Sequence, residues 1–532
     1  MKQWIGNLMR QEEVMLTLSD DAARALRADL AGYTTDALSE LLGPVAGAAF
    51  SREQYTPARR VLQLRAATTA TDPASARLAI LALAFLLGQP LPASTLAQAL
   101  PQLGVAGAQA AGIISLDGDT ARPAVVINPV DLGHGNQARL RWVASDLPEP
   151  ARGGPLPAWH VLGVGGASLT LAGLLPPGDL TGVRAADIGT GCGIQALALA
   201  ERGAEVIATD TSERALAFTA FNAALNDLPV AVRHGSLLEP LAGEEFDLVV
   251  ANPPFVITPA SVYAAGVPVM EYRDAGAGLV GDGLVASLVR DLPAVLRPGG
   301  NAVLLGNWER TGQDVFAAPR SWVDTSRADA WIIRRESLDP AEYAELWLRD
   351  GGLLPQSLPQ AYEAYLDDFA HRGVQQIEFG YLLLHRTAGD GVVLTTDLSG
   401  TPAPTARDVY HLFAVRRDLE RTDDDALAAA RITASPDVTI EHHFRPGQSQ
   451  PEVITLTQGG GLHQQIRATT HMAGLLGAAD GELAVGQIAG ALAALLEVDG
   501  QQMRTACCQA ARELAACGMV RLDFVQEMKG AG

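Results

Sequence analysis

The stretch Val183-Arg-Ala-Ala-Asp-Ile-Gly-Thr-Gly-Cys-Gly-Ile-Gln-Ala-Leu-Ala-Leu-Ala200 admits few folds. An apolar run ending at Ile188 reads as a buried strand, and the apolar run from Ile194 to Ala200 reads as a helix, with a tight glycine turn between them. Gly189, Gly191 and Gly193 leave the backbone of that turn bare. A ligand can then approach the helix N-terminus, where unpaired N–H groups and the helix dipole favour a carboxylate or phosphate. The glycines fall at every second residue, and Ile194 takes the place of the third glycine of a dinucleotide fingerprint, which argues against NAD. Asp210 ends the next apolar run, Glu205 to Thr209, where a carboxylate can accept the hydroxyl protons of a ribose. Strand, glycine loop, helix, strand and acid in this order predict a doubly wound α/β domain that binds a nucleoside.

The flanking texture extends that domain. Strands are expected at Val230 to Arg233, Asp247 to Ala251, Asn301 to Gly306, Ala330 to Arg335 and Gln376 to His385, making seven with the first two. The chain of 532 residues is long enough for about three domains. We place boundaries at 1–150, 151–390 and 391–532. The first segment shows helical patterns around Asp20 to Leu30, Thr35 to Leu42, Ala76 to Leu87 and Pro92 to Leu100, the last with Ser94 as cap. A hairpin over Ile113 to Asn128, turning at Asp117-Gly118, follows. Helices then a hairpin suggest a winged-helix-like substrate-recognition unit; the plainer reading is a domain that only shields its neighbour. The last segment, with helical patterns at Val485 to Leu496 and Gln501 to Ala516 and a strand at Met519 to Phe524, reads as a second α+β, winged-helix-like module.

The fourth strand of the central domain runs Phe246-Asp-Leu-Val-Val-Ala-Asn-Pro-Pro-Phe255, placing Asn252 and two prolines at a strand's C-terminal end, where ligands gather in open α/β sheets. Pro253 and Pro254 fix their own φ, lack N–H groups and hold the preceding residue extended, so the loop is stiff and rich in acceptors. The Asn252 side-chain carbonyl and the Pro253 carbonyl can together accept both hydrogens of one planar NH₂ group. An amide or an exocyclic amine meets that description, and Phe255 can lie against a flat acceptor group.

These residues resemble a known family. Asp187-Ile-Gly-Thr-Gly-Cys-Gly193 is similar to the first motif of class I S-adenosylmethionine-dependent methyltransferases, whose Rossmann-like, seven-stranded fold with a reversed last strand the strand pattern also resembles. The resemblance implies that Asp187, Gly189, Thr190, Gly191 and Gly193 hold the methionine end of S-adenosylmethionine, Asp210 its ribose, and Ser236 its adenine, where many relatives carry Asp. Asn252-Pro-Pro-Phe255 resembles the (Asn/Asp)-Pro-Pro-(Tyr/Phe) signature of methyltransferases acting on adenine N6, guanine N2 or the glutamine amide. By it, Asn252 and Pro253 position the acceptor nitrogen, with Asn252 also at the edge of the cofactor site, and Pro254 and Phe255 complete the catalytic loop. Val164-Gly-Gly-Ala-Ser168 resembles the segment that closes over the cofactor, with Gly165 its candidate. Met270 to Leu284, ending in Gly281-Asp-Gly-Leu284, looks like the continuation in HemK-like release-factor glutamine methyltransferases, and Glu271 and Arg273 could line the acceptor pocket or pair with each other. The long N-terminal region and the extra C-terminal segment depart from that family.

Charge and composition narrow the function. With 39 Lys+Arg against 60 Asp+Glu and a net charge of −21, binding of nucleic acid over the whole surface is disfavoured. A local patch of Arg59, Arg60, Arg65, Arg139 and Arg141 is the candidate exception. Cys192, Cys507, Cys508 and Cys517 show no metal spacing, and the adjacent His442 and His443 point to opposite faces of a strand, so no metal is expected. Cys192 reads as a small spacer whose helix-start position could lower its pKa. His234, His371 and His385 read as structural. No run is long enough to span a membrane and no signal-peptide core is present, so a cytoplasmic location is expected. The leading reading is an S-adenosylmethionine-dependent N-methyltransferase acting on a protein glutamine amide, with a release factor or another translation protein as partner. The alternatives are methylation of an amine on rRNA or another nucleic acid, with nucleic acid binding by the first domain, and a non-catalytic cofactor-binding regulator.

Overall fold

A computed structural model of the chain describes residues 16–68, 71–133, 139–153, 156–264, 280–350 and 358–524. Its contacts group the chain into two units, Met1–Asp324 with Ser337–Ala388, and Thr325–Glu336 with Gly389–Gly532.

In the first unit the strands lie in the order Val230–His234, Glu205–Asp210, Arg184–Ile188, Phe246–Ala251, Leu296–Arg310, Gln376–Arg386. The first five are parallel, and the sixth runs antiparallel to the fifth. This is a mixed α/β sheet with the reversed last strand expected from sequence. Ala185, Ala186, Ile188, Leu248, Val249 and Val250 are almost inaccessible, as strands covered on both faces require. The helix Glu213–Asn226 starts where Ser212 caps it by accepting the Ala215 N–H, and it stops at Asp227 in left-handed geometry. It packs so closely on the glycine loop that a Cβ on Gly193 would lie 3.0 Å from Thr219 Cγ2 and 3.2 Å from its Cα. Gly193 also has φ of +87°. Gly193→Ala is therefore expected to cost about 1–3 kcal/mol, read as a lower midpoint in chemical unfolding.

Ahead of the sheet lie the helices Asp20–Leu30, Thr35–Phe50, Tyr55–Ala66 and Pro73–Leu81, the last running on through a π-helical turn, Ala82–Leu86. Leu26, Leu30, Leu62, Ile80 and Phe85 form their buried interior. The expected hairpin is present as Ile114–Asp117 and Thr120–Pro123, turning at Gly118. A second antiparallel pair, Val125–Asp131 with Leu140–Asp146, follows it. Ser94 is not the cap expected of it: the helix Ala93–Ala99 begins one residue earlier, after Pro92, with no side-chain cap.

In the second unit the expected strand Ala330 to Arg335 appears within Ala328–Leu338 and pairs in parallel with Val393–Asp397. Helices Val485–Leu496 and Gly500–Ala516 lead into the strand Val520–Asp523, which joins Arg431–Ala434 and Asp480–Ala484 in one small sheet. A further sheet of Val438–His443, Val453–Gln458 and Gln465–Ala468 stands between them in sequence. Leu427, Ile432, Leu475, Ile488, Cys507 and Leu514 form this unit's core.

Candidate functional site

Register decides what the strand ends bring together. Ile188 is opposite Thr209 on one side and Ala251 on the other, so three strands finish level and Gly189, Asp210 and Asn252 emerge side by side. The first turn of the glycine loop keeps this alignment by donating the Gly189 and Thr190 N–H groups to the Thr209 carbonyl at 2.9 and 3.0 Å.

Two carboxylates organise the loop. Asp187, 1% exposed, uses Oδ2 to accept the Thr190 hydroxyl at 2.7 Å and the Ala196 N–H at 3.1 Å, closing the loop on the helix it starts. Burial pushes its pKa up to about 7, against the pull of those two hydrogen bonds. Asp210 accepts the Gly191 N–H at 3.0 Å on Oδ2 and the Ser212 N–H at 2.9 Å on Oδ1. Each oxygen keeps a further lone pair for a hydroxyl donor. Burial raises its pKa as well, opposed by those N–H groups.

The space beside the loop suits an extended ligand. A Cβ built on Gly191 meets nothing within 4 Å, and one on Gly189 finds only the Asn252 carbonyl oxygen at 3.9 Å. Gly189 and Gly191 have positive φ, +69° and +56°. Gly193 differs, because helix packing fills the place of its missing side chain.

Asn252 supplies the signal that most requires an explanation: its Oδ1 is buried and has no hydrogen-bond partner among the described residues. A buried acceptor left empty costs about 1–3 kcal/mol, so a donor is expected to arrive with a ligand. Beyond Asn252, Pro253 is buried and Pro254 and Phe255 are half-buried. The loop is braced from outside. Tyr343 Oη accepts the Ile257 N–H at 2.8 Å and Asn307 Nδ2–H at 3.0 Å, while Tyr365 Oη donates to Thr258 Oγ1 at 3.1 Å. The Leu296–Arg310 strand runs past its pairing of Leu304 with Ala251, and Gly306 to Arg310 pair with Gly380 to Gln376. This extension raises a wall beside the loop, from which Phe379 meets Phe255 edge to face at 6.4 Å and lies tilted against Tyr343 at 5.9 Å. Tyr343→Phe would strand two N–H donors, and a loss of about 1–3 kcal/mol is expected in equilibrium unfolding.

The structure thus brings Asp187, Gly189, Thr190, Gly191, Asp210, Asn252, Pro253, Pro254 and Phe255 to one edge of the sheet. Ser236 is exposed after the strand Val230–His234, its N–H 3.4 Å from Glu239 Oε2. Gly165 immediately precedes the helix Gly166–Gly173, which is tied to the loop helix by Gln195 donating to the Ser168 carbonyl at 3.0 Å. Glu271 and Arg273 lie outside the described residues. The Gly281-Asp-Gly element begins the helix Gly283–Asp291, and Asp282 accepts the Glu309 N–H at 3.0 Å. Cys192 corrects the lowered pKa considered for it: burial dominates and pushes the thiol up to about 12. Arg139 and Arg141 both pair with Glu201 and leave the basic patch, whereas Arg59, Arg60 and Arg65 are exposed. His443 sits 3.6 Å from Glu441 on an exposed strand, and no group of three metal-binding side chains occurs among the described residues. Nor is any described helix long and apolar enough to cross a membrane. Tyr343, Asn307 and Phe379 escaped the sequence reading, since nothing local marks them.

The same stretch of chain resembles known proteins. Residues 164–283 match the methyltransferase small domain family, and residues 30–124 match a domain of unknown function, DUF7059. A release factor glutamine methyltransferase of Xylella fastidiosa (strain Temecula1) is 43% identical over 133 residues, 24% of this chain and 48% of that protein. Those of Geobacter sulfurreducens and Deinococcus radiodurans are 36% and 42% identical over 148 and 126 residues, covering 25% and 23% of this chain and 52% and 44% of theirs. The chain spans about half the length of these curated relatives. Residues 164–283 therefore resemble the methyltransferase small domain family and the release factor glutamine methyltransferases, within a longer chain.

Proposed function

We propose that the chain is an S-adenosylmethionine-dependent N-methyltransferase whose acceptor is a planar side-chain amide, the glutamine of a release factor or another translation protein. The observation that carries this reading is the buried, empty Asn252 Oδ1 beside an open glycine loop. The cofactor, when bound, supplies a methyl group made electrophilic by its sulfonium. Everything else falls to the chain. Gly189 and Gly191 leave room along the loop, and Asp210 offers acceptors to the ribose hydroxyls. Asn252 Oδ1 and the Pro253 carbonyl accept the two amide hydrogens and turn the nitrogen's face toward the methyl carbon, so that much of the barrier is met by orientation. Held by both hydrogens, the amide nitrogen would face the methyl group that the bound cofactor would supply, with the neutral thioether as the leaving group. Both acceptors then stabilise the positive charge gathering on nitrogen. The methylated nitrogen is a strong acid and releases its surplus proton to water, so no dedicated base is needed. Phe255, edge-on to Phe379, forms the apolar wall for the flat group.

The rRNA alternative is weakened by the pairing of Arg139 and Arg141 with Glu201. A non-catalytic sensor would have no use for an acceptor grip. Incubation of the pure chain with radiolabelled cofactor, purified release factors and ribosomal RNA tests the reading. Label in a release factor, mapped to a glutamine, is the expected result; label confined to RNA would overturn the protein acceptor, and label in neither would favour the sensor.

A further inference from the structure

The helix Glu213–Asn226 does more than cover the sheet. It presents three residues to the strand Leu140–Asp146, which ends the N-terminal part of the chain. Asn226 Oδ1 accepts the Trp142 N–H at 2.9 Å and Nδ2 donates to the Trp142 carbonyl at 2.7 Å. One helical turn earlier, Asn222 repeats this with Ala144, accepting its N–H at 2.8 Å and donating to its carbonyl at 2.9 Å. Arg214 closes the series on the Asp146 carboxylate through both Nε and Nη2. The spacing of four on the helix matches two on the strand, so two amides replace a missing strand partner.

The two amides differ in one respect. Asn222 Nδ2 also donates to the Cys192 carbonyl at 2.8 Å, inside the glycine loop, whereas the second donor bond of Asn226 goes to Asn222's own carbonyl at 2.8 Å. Thr219, on the same face, donates to the Gly191 carbonyl at 3.0 Å. From the other end of the strand, Asp146 accepts the Val161 N–H at 2.8 Å and donates its own N–H to the Val161 carbonyl at 3.2 Å. A Cβ on Gly163 would stand 2.8 Å from Ser145 Oγ. Val161 and Gly163 lead directly into the segment around Gly165 that approaches the loop helix.

We propose that Asn222 is a positioning residue for the cofactor loop, and that the strand Leu140–Asp146 anchors both that loop, through Asn222, and the Val161–Gly166 segment, through Asp146. The N-terminal part of the chain then supports the cofactor site through this strand. This rests on the proposed use of S-adenosylmethionine. Its distinctive consequence is an inequality between two chemically identical substitutions: Asn222→Ala and Asn226→Ala both strip the strand of two hydrogen bonds, but only the first frees the loop carbonyl.

Equilibrium dialysis of the full chain with labelled S-adenosylhomocysteine, paired with thermal unfolding of each variant, tests it. Asn222→Ala is expected to weaken binding about tenfold, with Asn226→Ala close to wild type, while the unfolding midpoints of the two fall together. Should Asn222→Ala fail to fold, Asn222→Ser leaves a smaller void while still losing the amide that bridges the Ala144 and Cys192 carbonyls, and the same weakening is expected. Equal affinities for the two alanine variants would overturn the positioning role and leave the cofactor reading intact. Absence of binding by the wild-type chain would overturn both.

Discussion

Asn252→Ala is expected to lower the rate of methyl transfer by about 10²–10³-fold while the protein keeps its fold and its affinity for S-adenosylhomocysteine. The side chain ends at a buried oxygen with no partner among the described residues, so its removal breaks no hydrogen bond of that oxygen to them and relieves an unsatisfied acceptor. Stability should hold or rise slightly. What is lost is one of two acceptors that fix the plane of the incoming nitrogen, and with it stabilisation of charge that develops only as the new bond forms. The loss should therefore fall on kcat more than on KM for the cofactor. Single-turnover rates with saturating cofactor separate the two. A variant with wild-type turnover would remove Asn252 from the acceptor site.

Asp210→Ala should act on the other half of the site. The carboxylate anchors the glycine loop through the Gly191 N–H and the start of the next helix through the Ser212 N–H, and it is the acceptor offered to the ribose. Hydrogen bonds to a charged acceptor are worth about 1.5–3 kcal/mol each. Losing the ribose contacts and the loop anchor together should weaken cofactor binding by about 100-fold or more. Asp210→Asn should fall between, since the amide still accepts from one backbone N–H but presents a donor where the second was bound. Direct titration with S-adenosylhomocysteine reads this without any acceptor present. Affinity unchanged in Asp210→Ala would place the ribose elsewhere.

Much of the site was legible in one contiguous stretch, residues 183–255, for a physical reason. In a parallel sheet every strand delivers its last residue to the same edge, so successive strand-to-loop junctions such as Ile188-Gly189, Thr209-Asp210 and Ala251-Asn252 must meet in space. Contacts made by distant chain were not legible. Tyr343 braces Ile257 across 86 residues and Asn222 reaches Ala144 across 78, and neither sits in a pattern that local periodicity can mark. Gly193 could be recognised as necessary, but its reason, the approach of Thr219, depends on how a later helix packs. Cys192, read as a small spacer, is buried in the loop; only the lowered pKa that its helix-start position suggested fails, because complete burial prevails. The strand expected at Ala330 to Arg335 is present within Ala328–Leu338, but its parallel partner Val393–Asp397 was not marked by the sequence.

The central claim is that the Asn-Pro-Pro-Phe turn grips a planar nitrogen while a methyl group is delivered to it. Tandem mass spectrometry locates that methyl directly. An extract from cells lacking the chain is incubated with the pure protein and trideuteromethyl-labelled S-adenosylmethionine, and proteins and RNA are digested separately. Deuterated methyl on the side-chain nitrogen of a glutamine, absent when Asn252→Ala replaces the wild-type chain, is the expected result. Label residing on oxygen, sulfur or carbon, or no label dependent on the protein, would contradict it.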